Sequence, residues 1–193
     1  MFIPFLYLCG MNKKEVILLS ALNLLTEKGI HNTPMSAIAK AAGTGMGTIY
    51  NYFANKDILI NEIYVFIKEK EKILLLDFEI DKPLKTQFEY YFTSTVDFYL
   101  SNRVYFLFME QLQASPIITE ESKNAGVEAV ASVIKLLEKG KQERIIKNID
   151  TEELLQFMGG AVLSYLRWYF NQKELINKSI QNQMRMLWDA IKE

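Results

Sequence analysis

Cysteine and histidine are almost absent from this sequence, which contains only Cys9 and His31. A lone cysteine cannot form a disulfide within the chain, and one cysteine with one histidine falls short of the ligand set of a structural zinc site. We therefore expect a fold without disulfides, metal or cofactor. The 193 residues also include only four prolines and nine glycines, so that few residues interrupt helices.

A hydrophobic run long enough to cross a membrane is missing as well. Residues 1–10 are apolar and uncharged, but a membrane span takes about 20 residues. The segment also lacks the basic start and the small-residue cleavage pattern of a signal peptide. Because Met11 opens a polar helix start, residues 1–10 are interpreted as an N-terminal extension, with Met11 as an alternative first residue. The expected location is the cytoplasm, without membrane contact.

The sequence also has no large excess of positive or negative charge, since its net charge is −1. A uniformly basic coat for nucleic acid is thereby excluded. The lysines are nevertheless unevenly placed: residues 1–60 carry five lysines and three acids, or +2, and the remainder carries 17 basic and 20 acidic residues, or −3. Half of the residues are hydrophobic, which excludes intrinsic disorder.

Apolar residues recur at intervals of three and four along nearly the whole chain, the spacing of amphipathic helices. No segment alternates as a strand does, so the expected fold class is all-α. Helix start and stop signals divide the chain into nine helices. They are predicted at 13–28, 34–42, 47–53, 56–77, 84–100, 103–114, 119–139, 151–170 and 173–192.

The second and third of these helices are short and joined by a glycine-containing turn, as in a helix-turn-helix unit. At about 100° per residue, Ile49 and Phe53 share the face that must pack on the core. The rest of this helix displays hydroxyl, amide and glycine positions that suit base edges and phosphates. These outward residues are Gly47, Thr48, Tyr50, Asn51 and Tyr52.

The stretch from Ile17 to Leu59 resembles the DNA-binding domain of the TetR/AcrR family of transcriptional regulators. The resemblance is carried by an apolar helix ending at Gly29, the pair Ala42-Gly43, and the segment GTIYNYF followed by Lys-Asp. It implies a helix-turn-helix domain in residues 11–60, a ligand-binding and dimerisation domain in residues 61–193, and no enzymatic activity. The operator contacts that it implies are Thr33, Met46, Gly47, Thr48, Tyr50, Asn51, Tyr52 and Lys56, with Thr33 and Lys56 on phosphates.

Three residues depart from the family pattern, and the first of them, Thr44, replaces an apolar residue. Gly45 stands where a capping serine or threonine is usual, and replacing such a cap by glycine costs only a few tenths of a kcal/mol. Met46 replaces a residue that is frequently basic or polar. These departures affect DNA affinity more than the fold, because phosphate-binding cations largely set affinity.

Aromatic residues are concentrated in residues 88–108, which hold nine Phe and Tyr. Any one of them fits an ordinary core, but together they suit a pocket between helices. The predicted lining comprises Phe88, Phe92, Tyr99, Tyr105, Phe106, Met109, Phe157, Tyr165 and Trp168. The expected effector is hydrophobic, aromatic or acyl. Its charge stays open, because acids and bases are both near: Asp97, Glu110, Arg103 and Arg167.

The last two helices are predicted to pair two copies of the chain. Residues 151–170 are apolar almost all round, which indicates burial on two sides, and Gly159-Gly160 would allow another helix to approach. The final helix carries one apolar stripe, predicted as the dimer interface: Ile176, Ile180, Met184, Leu187, Trp188 and Ile191. The alternative is that both helices only cover a monomeric core.

The sequence therefore predicts a homodimeric repressor that binds a palindromic operator and leaves it when a hydrophobic effector shifts the helix beginning at Lys56. One alternative is a family member that senses a ligand but binds DNA weakly or not at all. Another is a helical carrier or enzyme, for which the sequence offers no nucleophile–base pair, metal cluster or phosphate loop.

Overall fold

The computed structural model describes residues 12–75, 81–113, 115–172 and 180–193. Within these ranges the chain forms ten helices and one isolated β-bridge, between Ile146 and Lys192. The helices are α1 (Lys13–Lys28), α2 (Met35–Ala41), α3 (Met46–Tyr52), α4 (Lys56–Leu74), α5 (Leu84–Ser101), α6 (Arg103–Leu112), α7 (Glu120–Ala129), α8 (Ala131–Gln142), α9 (Thr151–Phe170) and α10 (Gln181–Ile191).

The all-α prediction is confirmed. Several helix ends differ from the predicted ones by one to three residues, and the described residues form one helix more than predicted. The single helix predicted over 119–139 is two helices, because Val130 has φ −104° and ψ 13° and interrupts the helical backbone between α7 and α8. The chain has no proline at this point, so the hydrophobic spacing alone could not reveal the break. The first residues predicted for the last helix, 173–179, lie outside the described residues.

One compact unit comprises the described residues from Asn12 to Ile67 together with those between Arg103 and Ala125. In it α1 packs against both α2 and α6. Asn12 and Glu15 begin α1 as a reciprocal capping box, with both hydrogen bonds 3.0 Å long, which satisfies two of the free N–H groups at the helix start. The core side chains of this unit include Ile17, Leu22, Leu25, Ile38, Ile49, Phe53, Leu59 and Ile63.

The second unit comprises Lys68–Asn102 and Gly126–Glu193. Helix α5 packs against α8, α9 and α10. Gly140 is needed at one contact, because a Cβ there would lie 2.6 Å from Ile146 Cδ1. Fully buried side chains here include Phe88, Phe92, Val133, Leu137, Met158 and Leu166. Helix α4 contributes residues to both units.

None of the helices in the described ranges has the length and apolarity that a membrane crossing requires.

Candidate nucleic-acid interface

Helix α3 is oriented by the turn that precedes it. Gly43 adopts φ +59°, a left-handed conformation in which glycine avoids the penalty of a Cβ. The amide of Thr44 then donates to the Ala39 carbonyl at 3.0 Å, which closes the end of α2. Gly45 begins α3 in an extended conformation and provides no side-chain cap, as its residue type requires.

The inner face of α3 matches the sequence prediction. Ile49 on α3 and Phe53, the extended residue that directly follows α3, are both fully buried, and α3 packs on α2. Ile38 and Leu22 are buried in the same unit. This packing fixes the rotation of α3 and therefore determines which side chains reach solvent.

The outer face of α3 is exposed and has few contacts of its own. Tyr50 is 49% exposed and Tyr52 45%, and Gly47 and Asn51 are exposed as well. The side chains of Tyr50 and Asn51 make no hydrogen bond or ion pair with any described residue. Thr48 is half-buried. A hydroxyl and an amide with unused hydrogen-bonding capacity, on the exposed face of a helix-turn-helix, suit the edges of bases in a major groove.

Thr33, expected to hold a phosphate, is placed differently. Its side chain is 0% exposed, and its hydroxyl donates a hydrogen bond to the Gly29 carbonyl at 2.9 Å. Gly29 itself has φ +89° and turns the chain out of α1. Thr33 therefore has a structural role in the α1–α2 connection, and its phosphate contact stays a prediction that the buried hydroxyl does not favour.

Lys56 also has a structural role that the sequence did not reveal. Its ammonium donates to the carbonyls of His31 at 3.3 Å and Thr33 at 3.1 Å. The group thus ties the start of α4 to the connection before α2, where it lies partly buried. Two of its three donors are used within the chain, so a phosphate contact from Lys56 remains a prediction with a weaker basis.

Two other lysines of this unit differ in how much charge they can offer to DNA. Lys14 pairs with Glu62 at 2.8 Å and lies 5.9 Å from the centre of the Phe53 ring. Lys40, in the last turn of α2, is exposed and forms no ion pair or side-chain hydrogen bond with the described residues. Its place one turn before α3 makes it a phosphate candidate that the sequence reasoning missed.

A glutamine on α6 braces the helix-turn-helix from behind. Gln111 accepts a hydrogen bond from the Ile30 amide at 3.1 Å through Oε1 and donates to the Thr26 carbonyl at 3.2 Å through Nε2. Both partners belong to the end of α1 and the residue after Gly29. Nothing in the sequence pattern marks this glutamine, because the contact joins residues more than 80 positions apart.

The residues predicted to line a pocket are divided between the two units. Phe88, Phe92, Tyr99 and Tyr165 are buried in the unit that contains α5, and Phe88 and Phe92 stack with ring centres 6.5 Å apart. Tyr105, Phe106 and Met109 belong to the unit that contains α6, where Tyr105 meets Phe66 edge-on at 6.2 Å.

Phe157 and Trp168 do not lie in the interior as a pocket lining would. They are 52% and 38% exposed, respectively, on α9. The face of α9 that packs inward carries Leu154, Met158, Val162, Tyr165 and Leu166. Apolar residues therefore lie both on the interior face of α9 and on its exposed face.

The apolar stripe of α10 also differs from the dimer prediction. Leu187, Trp188 and Ile191 are buried within their own protomer. Trp188 packs against Phe88 with ring centres 5.1 Å apart, so it supports the core beneath α5. Met184 and Ile180 are half-buried, and Ile176 lies outside the described residues.

Known proteins share both parts of this arrangement. The family described as bacterial regulatory proteins, tetR family, matches residues 17–63, and the tetracyclin repressor-like C-terminal domain matches residues 63–193. The chain belongs to the TetR family of bacterial transcriptional regulators. Members of this family bind DNA through the helix-turn-helix and are not enzymes.

Individual relatives match mainly over short stretches. The fatty acid metabolism regulator protein of Bacillus subtilis is 51% identical over 43 residues, 22% of each chain. The HTH-type transcriptional regulator AcrR of Shigella flexneri is 34% identical over 70 residues, 36% of this chain and 33% of that protein. The match thus spans a third or less of the length of the curated relatives.

The fold extends over nearly the whole chain. The crystal structure of a TetR family transcription regulator from Marinobacter aquaeolei VT8 superposes with a TM-score of 0.82 and covers 94% of this chain and 96% of that one. The two sequences are 21% identical. The likeness therefore establishes a TetR-like architecture from the helix-turn-helix to the C-terminal helices.

Proposed function

We propose that this regulator is a ligand-responsive repressor that binds a palindromic operator as a homodimer in the cytoplasm. The observation that carries the proposal is the outer face of α3, where Tyr50 and Asn51 are exposed and unbonded within the described chain. Asn pairs bidentately with adenine, and Tyr hydroxyls reach bases or phosphates. Met46, Gly47, Thr48 and Tyr52 complete the proposed contact surface.

The dimer is proposed to form through the exposed seam of α9 rather than through the buried stripe of α10. This seam consists of Phe157, Ala161, Ser164 and Trp168, at intervals of four, three and four along one helix face. Such spacing suits side-chain interdigitation with a second helix. A Cβ at the neighbouring Gly160 would meet nothing within 4 Å, so a partner helix has room to approach there.

Helix α10 supplies a second exposed apolar position to this proposed interface. Met186 is 57% exposed, on the side of α10 away from its buried residues. Phe157, Trp168 and Met186 expose 52%, 38% and 57% of their surface, and covering that apolar area with a second copy would be favourable. Pairing of α9 and α10 with their symmetry mates would bury all three.

The effector is proposed to be an apolar small molecule bound in the unit that contains α5. The buried rings Phe88, Phe92, Tyr99 and Tyr165 supply the aromatic surroundings typical of such sites. One relative is named a fatty acid metabolism regulator, and an acyl chain is a ligand that these rings suit. Because α4 is one continuous helix with residues in both units, a ligand that displaces it would disturb the spacing of the two α3 helices.

Operator selection tests the proposal. The full chain is used to enrich fragments from genomic DNA, and binding is then measured by fluorescence anisotropy at two salt concentrations. We expect a palindromic site whose half-sites lie about 34 Å apart and an affinity that falls steeply with salt. An apolar effector should weaken binding about 5- to 150-fold. A chain that enriches no sequence would contradict the proposal.

A second candidate is a ligand sensor with weak DNA binding. It is favoured by the use of Lys14 and Lys56 inside the protomer, which leaves few exposed cations beside α3. The same titration separates the two candidates, since the sensor would bind the effector but show no sequence preference.

A further inference from the structure

The recognition helix α3 (Met46–Tyr52) carries no charged side chain. In a major groove, each base pair is read by a different kind of side chain. Arginine and lysine pair bidentately with guanine, aspartate and glutamate accept from cytosine, and asparagine and glutamine pair bidentately with adenine. Asn51 is the one residue of α3 that belongs to these types, so the helix lacks a bidentate reader for either base of a G·C pair.

Asn51 occupies the centre of the outer face of α3. At about 100° per residue, it lies about 200° around the helix from Ile49, which is fully buried. Gly47 and Thr48 lie within about 60° of Asn51 on the same face. Asn51 is exposed, and its amide forms no hydrogen bond with any described residue. The full hydrogen-bonding capacity of this amide is therefore available to a base edge.

Nothing in the described unit requires a glycine at position 47. Its φ is not positive, and a Cβ there would meet nothing within 4 Å. Glycine is also one of the residues that favour a helix least. The missing side chain instead lets the floor of a groove approach α3 closely, and the short side chains of Thr48 and Asn51 need this approach to reach bases.

Thr48 adds a methyl group to the same face. Thr48 and Asn51 are three residues apart, which is about 4.5 Å along the helix axis, and successive bases along a strand of DNA are about 3.4 Å apart. The two side chains therefore reach neighbouring base pairs. The methyl group of a threonine makes apolar contact with the C5 methyl group of thymine.

We infer that α3 reads two adjacent A·T base pairs in each half-site, an adenine through the Asn51 amide and a neighbouring thymine through the Thr48 methyl group. The inference rests on the proposed operator binding and names the bases of that operator. The two lysines that flank α3 in the sequence do not supply a guanine reader. Lys56 donates to two backbone carbonyls, and Lys40 lies on α2, the helix that crosses the DNA backbone in this motif.

Operator selection with the unaltered chain and with two variants identifies the bases that are read. Asn51→Ala should abolish the base preference at one position of each half-site, and we expect that position to be an A·T pair. Thr48→Ser keeps the hydroxyl but loses the methyl group, and it should abolish the preference for thymine at the adjacent position.

Asn32→Ala is the matched control for Asn51→Ala. Asn32 is exposed in the connection between α1 and α2, and its side chain forms no hydrogen bond with a described residue. The control removes the same amide from the same unit, and it should leave every base preference unchanged.

Modified bases in the selected operator test each contact separately, with binding of the full chain measured by fluorescence anisotropy. 7-Deazaadenine lacks the N7 acceptor but still pairs with thymine, and it should weaken binding about three- to tenfold, as for one hydrogen bond. The same base should have no effect on Asn51→Ala, because that variant has already lost the bond. Uracil in place of thymine removes one methyl group, and it should weaken binding about fourfold for the unaltered chain but not for Thr48→Ser.

Inosine–cytosine pairs distinguish reading of the major groove from reading of the minor groove. Such a pair presents the major groove of G·C and the minor groove of A·T. At the two positions under α3 it should therefore bind the unaltered chain at least about fivefold more weakly than A·T. Equal affinities would place recognition in the minor groove or in the shape of the DNA, and would overturn the inference.

Gly47→Ala tests the close approach of the groove. The midpoint temperature of thermal unfolding should rise, because alanine favours a helix and the space around its Cβ is open. Operator affinity should nevertheless fall at least about fivefold, since the added methyl group separates α3 from the base edges. An unchanged affinity would contradict the close approach on which the contacts of Thr48 and Asn51 depend.

The outcomes separate this inference from the function on which it rests. If a palindromic operator is selected but the position that Asn51→Ala affects is a G·C pair, the inference is wrong and the proposed repressor still stands. If thymine and uracil bind equally well throughout, the role of Thr48 is wrong. If no sequence is enriched, both the proposed operator binding and this reading of its bases are contradicted.

Discussion

The ammonium of Lys56 donates a hydrogen bond to the backbone carbonyl of Thr33, 3.1 Å away. Both residues were expected to hold operator phosphates, and the structure instead bonds one to the other. Together they fix the connection between α1 and α2 against the start of α4. The helix-turn-helix is thus braced by the residues that the family resemblance assigns to DNA.

Replacing Lys56 should lower stability more than replacing any exposed lysine of the same unit. Lys56→Ala removes two charge-assisted hydrogen bonds to carbonyls, and we expect the free energy of unfolding to fall by about 1–2 kcal/mol. Lys40→Ala is the matched control, since Lys40 is exposed and unpaired within the described residues. This variant should change the free energy of unfolding by less than about 0.5 kcal/mol. Urea unfolding measures both, and equal midpoints would contradict the structural role.

Thr33→Val separates a structural threonine from a phosphate-binding one. Valine keeps the shape of the side chain but loses the hydrogen bond to the Gly29 carbonyl. The expected cost is about 1 kcal/mol of unfolding free energy, with the operator affinity of the folded protein unchanged. If Thr33→Val instead lowers the operator affinity without changing the unfolding free energy, Thr33 contacts a phosphate.

The missing cap of α3 offers a stabilising change. Gly45 has ordinary extended dihedrals, and a Cβ at this position would project into open space. Gly45→Ser should therefore add about 0.5–1 kcal/mol through the cap and the lost freedom of the unfolded chain. Gly43→Ser is the control, because φ +59° penalises any Cβ by about 1 kcal/mol. The midpoint temperature of thermal unfolding should rise for Gly45→Ser and fall for Gly43→Ser.

A charge in the α9 seam should separate the proposed dimer. Phe157→Glu places a carboxylate where two copies would meet, and sedimentation equilibrium is expected to give a monomer. Ile73→Glu makes the same kind of change at a position that is 60% exposed on α4, and should leave the association state unaltered. A dimer that survives the first change, or a monomer in the unaltered chain, would rule out this interface.

Local spacing was sufficient to predict the recognition helix. In the seven-residue segment GTIYNYF, Ile49 and Phe53 are four residues apart, a spacing that puts both side chains on the same face of a helix. Both are buried. The glycines after α1 and α2 were likewise recognisable as helix ends, and each has a positive φ. These features depend only on residues within one or two turns of each other.

Features that depend on distant residues were not predictable. The stripe of α10 shows that Trp188 must be covered, but not whether Phe88 or a second protomer covers it. The role of Thr33 depends on the position of the Gly29 carbonyl in three dimensions, and that of Gln111 on the approach of α6 to α1. Hydrophobic and polar patterns identify faces, whereas partners depend on the packing of the whole unit.

Operator affinity of α3 variants tests most directly whether this chain reads DNA through the residues named. Asn51→Ala and Tyr50→Ala alter exposed side chains without intrachain bonds, so neither should change stability or association state. Fluorescence anisotropy on the selected operator should show a loss of about tenfold or more for Asn51→Ala, as for one base-edge contact, while binding to unrelated DNA stays the same. Equal operator affinities of both variants and the unaltered chain would contradict recognition by this helix.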